Sequence, residues 1–425
     1  MLRERKPNNS RPRSPRRDGD RDRGYSSVRR PSVSREELLA RQRAKEERML
    51  REQESRELAR GPIDLPFCLL VMMLTIIGLI MLFSASFPRA YYEDSNPTYY
   101  VARQGVFAIM GVAAMAFVGK INYQRFRGLA KPLLYLAAVL LVLVIIPHNP
   151  LALTRNNATR WLGLPNTALQ FQPSEIAKLA VVLYFSDTIS RKKERMQTFR
   201  YGIAPYAMIL LAIAALMMLE PHLSGTLLIL GAGAAIMLVG GISWTWVVGA
   251  LGVAAAGMYT VVGIVGYGAS RIAMWHDPFI DPRGDGYQLA QSLLSIGSGG
   301  LLGVGLGKSR QKFMYLPEEH NDFVFSIVCE ELGLIGAAII MLLFAALILR
   351  GYWIALHARD RFGSLLVVGI TTLLAFQTFL NMGVVTGLLP TTGVSLPFFS
   401  YGGTALTIQL FEMGIVLSVS RQMKI

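Results

Sequence analysis

Ten apolar stretches, each near the length needed to cross a lipid bilayer, are the feature that most constrains the fold of this chain. A hydrocarbon core about 30 Å thick requires roughly 20 apolar residues in a helix. Because 52% of the residues are apolar and only 17% are charged, an ordinary soluble enzyme is excluded. We predict an all-α polytopic membrane protein with ten transmembrane helices. The stretches lie at 64–87, 101–119, 132–147, 174–190, 202–219, 223–241, 244–266, 322–349, 364–384 and 403–420.

The basic residues between these stretches predict the orientation of the chain. Clusters of Lys and Arg lie within 120–131, 191–200, 350–361 and 421–424. The positive-inside rule assigns all of them to the cytoplasmic side, which makes both termini cytoplasmic. The outer side then receives 148–173, a large loop at 266–321 between helices seven and eight, and the Pro/Gly-rich stretch 385–402.

The N-terminal 60 residues differ from the rest and hold 19 of the 43 Lys and Arg residues. Residues 1–33 carry few large apolar side chains, so we predict a disordered basic cytoplasmic tail. Ser34 and Glu37 form a capping-box pattern, and acid–base pairs four residues apart predict a charged cytoplasmic helix at 34–61. Contact of the tail with anionic lipid is favoured over nucleic-acid binding. The third predicted domain, at 62–425, is the membrane domain.

Cysteine usage excludes two classes of site. The chain has only two cysteines, Cys68 and Cys329, both in apolar runs, so a disulfide framework and a zinc cluster are excluded. No carboxylate cluster has dedicated metal-ligand spacing, and we predict no protein metal site.

The first group of candidate site residues surrounds the outer segment 148–173. Arg160 and Trp161 place a guanidinium beside an indole, and Arg103 begins the second stretch on the same side. Glu175 and Lys178 are three residues apart on one helical face and can form an ion pair. A purely structural ion pair is the alternative for these two residues.

The second group lies in the large loop and at the start of helix eight. It comprises Gln291 within the string at 286–292, Lys312, His320 and Asp322. An acid at the membrane boundary is costly unless it is paired or functional. The alternative role for Asp322 is that of a helix N-cap.

Two long strings give a specific resemblance. They are GYQLAQSLLSIGSGGLLGVGLGKSRQKFMYLPEEHNDFVFSIVCEELGLIG (286–336) and NMGVVTGLLPTTGVSLPFFSYGGTALT (381–407), with RWLG (160–163) and QPSEIAK (172–178) upstream. From about residue 64 to its end the chain resembles the SEDS family of bacterial peptidoglycan polymerases. Within that family it is most similar to the cell-division members, rather than to the elongation members.

The resemblance implies a ten-helix fold and a peptidoglycan glycosyltransferase. Its substrates would be lipid II and the growing glycan strand, joined at the outer face of the cytoplasmic membrane, at the division septum. Its partners would be a class B penicillin-binding protein, which is a transpeptidase, and other division proteins. The family's essential aspartate falls on Asp322, its Arg-Trp pair on Arg160 and Trp161, and its Glu and Lys on Glu175 and Lys178.

Glycosyl transfer from a lipid-linked diphosphate requires a base for the acceptor hydroxyl and positive charge for the departing diphosphate. Asp322 is the predicted base for the acceptor hydroxyl. The candidates to hold the diphosphate are Arg103, Arg160, Lys178, Lys312 and His320. Trp161, Glu175 and Gln291 complete the predicted substrate-binding set. A divalent cation such as Mg²⁺ or Mn²⁺, if used, is expected to bind with the substrate diphosphate.

One position departs from the family's sequence pattern, and two alternative functions stay open. His222 stands where many family members have an acid, and a Ser is inserted after Leu223, so the resemblance gives no role to this position. Buried charges such as Glu220 and Glu412 could instead serve a lipid II flippase. A noncatalytic division scaffold, which recruits partners through the charged tail, is the third interpretation.

Overall fold

The computed structural model describes residues 61–146, 149–155, 158–163, 170–192, 196–260 and 269–423, together with Gln42, Glu46 and Met49. The predicted tail at 1–33 and nearly all of the predicted helix at 34–61 lie outside these residues. Gln42, Glu46 and Met49 are helical. The chain divides into two compact units, residues 1–53 and residues 54–425, and the second unit contains the membrane helices.

Twelve α-helices dominate the described part of this second unit. A 3₁₀ helix at Tyr123–Leu129 precedes α3, and a π-helix at Phe199–Ile203 precedes α5. The α-helices are α1 Leu65–Asp94, α2 Tyr99–Val118, α3 Ala130–Ile145, α4 Pro173–Lys192, α5 Ala204–Leu219, α6 Leu223–Val239, α7 Trp244–Tyr259, α8 Ala269–His276, α9 Tyr287–Gly299, α10 Val324–Leu356, α11 Arg361–Val385 and α12 Gly403–Ser420.

Every predicted apolar stretch coincides with a helix, although fewer than ten qualify as membrane spans. In the described part of the chain, seven helical segments are long and apolar enough to cross a bilayer, and Leu223–Val239 is a shorter apolar helix. The seven are Leu65–Asp94, Tyr99–Val118, Tyr123–Ile145, Phe199–Leu219, Val324–Leu356, Arg361–Val385 and Gly403–Ser420. The chain is therefore a helical integral membrane protein.

Helix α4 is less apolar than its neighbours because it is enclosed by protein. It packs against α3, α6 and α11, and most of its residues are buried. It carries Glu175, Lys178 and Asp187, which would be costly if they faced lipid. Together α4 and α11 form the interior of the bundle, so polar side chains on either helix contact protein.

A small antiparallel sheet departs from the all-α prediction. Strands β1 Ala152–Arg155, β2 Ala158–Gly163 and β3 Gln170–Phe171 pair in the order β1-β2-β3. Leu153 is opposite Trp161, and Leu162 is opposite Phe171. The sequence predicted this segment only as an outer connection, because strands this short carry a weak periodic signal. The sheet fixes Arg160 and Trp161 next to α4.

Helix α10 is interrupted at Gly333, where φ is 69° and ψ is −169°. The amides of Val304 and Gly305 donate to the carbonyls of Glu330 and Glu331 at 2.9 and 3.0 Å. A Cβ at Gly303 would lie 2.1 Å from the Glu331 carbonyl oxygen, so only glycine permits this approach. The loop after α9 is thus hydrogen-bonded to the break in α10.

Candidate active site

A cavity of about 490 Å³ gathers most of the predicted site residues, and we call it the main cavity. Its walls come from the ends of α1 and α2, the sheet, α4, the start of α6, the segment before α10 and the segment before α12. Acidic and basic groups therefore face a common space large enough for a sugar–diphosphate group. Its charged or titratable lining residues include Glu93, Asp94, Arg103, Arg160, Glu175, Lys178, His222, Glu318, His320 and Asp322.

The backbone around Asp322 is fixed by hydrogen bonds to three consecutive carbonyls. The amide of Tyr401 donates to the carbonyl of His320 at 2.9 Å, and the Ser400 hydroxyl donates to that of Asn321 at 2.6 Å. The Asn381 amide group donates to the carbonyl of Asp322 itself at 2.7 Å. The position of Asp322 thus depends on α11 and on the segment before α12.

The Asp322 carboxylate has the character of a base that works near neutral pH. Burial raises its pKa to about 6, and the charge of Glu318 adds to this, while Arg160 and His320 oppose it. The N-cap of α10 is Phe323, and no side chain caps this helix. Helix capping therefore does not account for Asp322.

Just before Asp322, at Glu319 and His320, the chain is held by an acid–base cluster. Arg89 makes a bidentate contact with Glu319, at 2.7 Å from Nε to Oε1 and 3.1 Å from Nη2 to Oε2. Burial alone would raise the pKa of Glu319, but the nearby His320 ring and the hydrogen bonds from Arg89 lower it below its usual value. His320 also lies against the rings of Tyr100 and Tyr401. This cluster joins α1 to the segment that carries Asp322.

Arg160 lines the main cavity and also holds the sheet to the connection between α5 and α6. Its Nε donates to the carbonyl of Glu220 at 3.2 Å, and its Nη2 donates to the carbonyl of Pro221. The Glu220 carboxyl is buried without a hydrogen-bond partner among the described residues, and burial raises its pKa to about 8. Arg160 therefore has two roles. It places a positive charge in the main cavity, and it joins β2 to the α5–α6 connection through hydrogen bonds.

Glu175 and Lys178 form the ion pair that their spacing predicted. Lys178 Nζ lies 2.7 Å from Glu175 Oε2, and Nζ also donates to Gln377 Oε1 at 3.4 Å. Lys178 is buried, with 6% of its surface exposed, yet both members of the pair line the main cavity. The pair can thus meet a substrate while it remains neutral as a unit.

Lys312 and Gln291 lie outside the lining of the main cavity. Lys312 is almost fully buried, and its Nζ lies 2.9 Å from Glu331 Oε1 and 3.2 Å from Ser84 Oγ. Glu330 beside it accepts hydrogen bonds from Ser309 Oγ at 2.5 Å and from the Arg310 amide at 2.9 Å. Lys312 therefore links the loop to α1 and α10. The predicted substrate contacts of Lys312 and Gln291 stay predictions.

Sequence reasoning missed several polar residues of the main cavity. They include Gln172, His222, Ser224, Gln377 and Tyr401, which all line the main cavity. A single Gln inside the apolar run that became α11 was the available signal for Gln377, because such a residue needs a protein partner in a bilayer. For the others, the neighbouring Pro and Gly residues predict a turn but not the direction of the side chains.

His222, at the position where the sequence departs from the family pattern, is a neutral residue of the cavity wall. It is buried, and burial together with the charges of Arg160 and Lys178 lowers its pKa to about 3. Its Nε2 lies 3.5 Å from Gln172 Nε2. An uncharged imidazole thus occupies a wall that already holds two cations.

The family assignment follows from comparison with known proteins. A family model described as "Cell cycle protein", which unites FtsW, RodA and SpoVE, matches residues 65–425. The chain belongs to this family. The match covers the twelve helices, the sheet and every residue that lines the main cavity.

Curated members of the FtsW, RodA and SpoVE family match over nearly their whole length. A "Probable peptidoglycan glycosyltransferase FtsW" of Geobacter metallireducens is 43% identical over 362 residues, which cover 85% of this chain and 95% of the relative. The "Stage V sporulation protein E" of Bacillus subtilis is 41% identical over 360 residues, which cover 84% and 97% of the two chains.

Solved structures of the family share the fold. A chain from the structure described as "Structural coordination of polymerization and crosslinking by a peptidoglycan synthase complex" is 28% identical, with a TM-score of 0.71, and the alignment covers 85% of this chain and 98% of that one. The rod shape determining protein RodA of Thermus thermophilus is also 28% identical, with a TM-score of 0.61 and coverage of 85% and 97%. The predicted SEDS-type fold is therefore confirmed.

Proposed function

We propose that this protein is a peptidoglycan glycosyltransferase that polymerises lipid II into glycan strands during septal cell-wall synthesis. The relatives named as glycosyltransferases support this activity. The observation that carries the proposal is the position of Asp322, whose carboxylate shares one cavity with Arg103, Arg160 and Lys178. A base and a set of cations are what glycosyl transfer from a lipid diphosphate requires.

In the proposed reaction Asp322 accepts the proton of the acceptor 4-hydroxyl. The hydroxyl oxygen forms a bond with the anomeric carbon of the donor sugar, and the bond from that carbon to the diphosphate breaks. Arg103, Arg160 and Lys178 would stabilise the negative charge of the departing diphosphate, and Trp161 offers an aromatic face for a sugar. Glu175 would keep Lys178 in position. Gln291, Lys312 and His320 complete the predicted substrate-binding set.

A divalent cation, if the reaction uses one, is proposed to bind with the diphosphate of lipid II. Among the described residues no group of three or more His, Cys, Asp or Glu side chains could hold a metal ion. Phosphate oxygens and water are ligands that Mg²⁺ accepts readily. The carboxylates of the main cavity would then meet the cation only through the substrate.

For topology we propose ten membrane spans with both termini in the cytoplasm. The three helices beyond the seven long apolar segments are α4, α6 and α7, and each coincides with a predicted apolar stretch. The arrangement keeps the Lys and Arg clusters inside, as the positive-inside rule requires. The large loop at 266–321 and the main cavity would then face outward, where lipid II is polymerised.

We propose a class B penicillin-binding protein as the partner, other division proteins as further partners, and the septum of the cytoplasmic membrane as the location. A related solved chain comes from a complex that coordinates polymerization and crosslinking. A transpeptidase beside this protein would crosslink the strands that it releases.

Reconstitution with labelled lipid II tests the proposed activity. Purified protein in vesicles, with and without a cognate class B penicillin-binding protein, should convert lipid II into glycan strands that gel electrophoresis resolves. Movement of lipid II between leaflets without strand formation would favour the flippase. Absence of both reactions, with intact partner binding, would favour the scaffold.

The pH dependence of polymerisation should report the Asp322 carboxylate. A general base acts only when it is deprotonated, and burial raises the pKa of Asp322 to about 6. We therefore expect kcat/KM to fall about tenfold for each pH unit below that value and to level off as the pH approaches neutrality. Initial rates between pH 4.5 and 8, after confirmation that the protein stays folded, provide the measurement. A flat profile across this range contradicts the assignment.

The geometry of Arg160 should matter more than its charge alone. Its guanidinium makes two hydrogen bonds to neighbouring carbonyls and lines the main cavity, which an ammonium cannot reproduce. We expect Arg160→Lys to weaken lipid II binding about tenfold and Arg160→Ala to weaken it further. Binding and turnover are measured after thermal melting shows that each variant is folded. Wild-type binding by folded Arg160→Ala contradicts the diphosphate role.

A further inference from the structure

A second, smaller cavity lies beside the Glu175–Lys178 pair. Its volume of about 30 Å³ is enough for one water molecule. Seven residues, among them Glu175, Lys178 and Gln377, line both this small cavity and the main cavity, so the ion pair lies at the boundary between the two spaces. The other polar side chains that line the small cavity are Ser395, Ser400 and Tyr401, together with Gln409 and Glu412 from α12.

Glu412 is the group in this small cavity whose interactions are incomplete. Only 8% of its surface is exposed, and its carboxyl has no hydrogen bond or ion pair among the residues that the structure describes. The neighbouring glutamines are engaged elsewhere. Gln409 Oε1 accepts from the Phe398 amide at 3.1 Å, and Gln377 Nε2 donates to the Ser395 carbonyl at 3.1 Å. Among the residues that line the small cavity, Lys178 is the one cation available to Glu412.

The charges around the small cavity restrict the state of Glu412. The titratable groups that line it are Glu175 and Lys178 from α4, Tyr401 from the segment before α12, and Glu412 itself, while α11 contributes no titratable group. The Glu175–Lys178 pair is already neutral, so an ionised Glu412 would leave one uncompensated negative charge in the bundle interior. A metal cation is disfavoured because the Lys178 ammonium would repel it.

We propose that Glu412 is a positioning residue that carries a proton while Lys178 pairs with Glu175, and that loss of this proton draws Lys178 inward. The proton leaves through the small cavity into the main cavity. An ionised Glu412 then offers the ammonium a second carboxylate on the side away from the substrate. The protonation state of Glu412 thus sets how well Lys178 reaches an anionic substrate. This inference rests on the proposed function, in which Lys178 contacts the lipid diphosphate.

The kinetic test compares the wild type with Glu412→Gln across neutral to alkaline pH. Gln has the size of Glu and stays uncharged, so it reproduces the protonated state. In the wild type we expect KM for lipid II to rise about tenfold at alkaline pH, with a smaller change in kcat. In Glu412→Gln the KM should stay low. Met413→Leu, a buried apolar exchange on the same helix, is the matched control and should follow the wild type.

A spectroscopic test reads the proton on Glu412 without any turnover. The infrared difference between wild type and Glu412→Gln should contain the carbonyl stretch of a protonated carboxylic acid, which disappears as pH rises. Absence of that band at neutral pH overturns the inference, even if the enzyme polymerises lipid II. An unchanged alkaline rise of KM in Glu412→Gln also overturns it. If the wild type forms no glycan while the band is present, the result contradicts the proposed function. It still supports the inference that Glu412 carries a proton.

Discussion

Replacing Asp322 by Asn is expected to reduce glycan polymerisation by about 10²- to 10⁴-fold, which is the usual contribution of a general base. Asn has nearly the same size as Asp but cannot accept the proton of a sugar hydroxyl. The contacts that fix this segment involve the backbone carbonyls of His320, Asn321 and Asp322, so the exchange leaves them in place. Strand formation from labelled lipid II gives the rate, and thermal melting confirms the fold.

The matched control for this exchange is Asp285→Asn. Asp285 is exposed and lies outside the lining of the main cavity among the described residues, so the same chemical change should leave the rate unaltered. Partner binding should be equal in both variants. Polymerisation by Asp322→Asn at the wild-type rate would remove Asp322 from the mechanism.

Replacing Lys312 by Met is expected to destabilise the protein by about 3–5 kcal/mol, because it leaves Glu331 buried and without its cation. Glu331 is 1% exposed, and Lys312 Nζ lies 2.9 Å from its Oε1. The Ser84 hydroxyl lies 2.7 Å from both oxygens of Glu331, but its single proton cannot replace the charge of Lys312. Thermal unfolding in detergent measures the loss.

Lys308→Met is the control, since Lys308 is exposed in the same loop. It should change stability by less than about 0.5 kcal/mol. The double variant Lys312→Met/Glu331→Gln should recover part of the loss, because the stranded charge is gone. If Lys312→Met melts like the wild type but loses lipid II binding, Lys312 belongs to the substrate site rather than to this ion pair.

The sequence predicted the helices well because their signal is local. Each of the ten predicted apolar stretches overlaps a helix of the structure. The spacing of Glu175 and Lys178 predicted an ion pair that the structure contains. The strings at 160–163, 172–178, 286–336 and 381–407 together contain most of the residues that line the main cavity. These features depend on neighbouring residues, which a single sequence displays directly.

Long-range pairing was beyond sequence reasoning. The ion pair between Lys312 and Glu331 was not predicted, because Glu331 sits inside an apolar run that predicted only a helix. Arg89 and Glu319 are 230 residues apart, and nothing local links them. The sheet at Ala152–Phe171 was missed because its strands have two to six residues. Such contacts depend on how helices pack, not on periodicity.

The interruption of α10 at Gly333 has a consequence for the order in which the protein assembles. The carbonyls of Glu330 and Glu331 receive hydrogen bonds from loop amides that are synthesised earlier, at Val304 and Gly305. Until that loop arrives, the broken helix would expose unsatisfied carbonyls to lipid, and until α10 inserts, the loop has nothing to bind. We therefore expect insertion of α10 and folding of the loop to be coupled during biogenesis, since each satisfies backbone groups of the other.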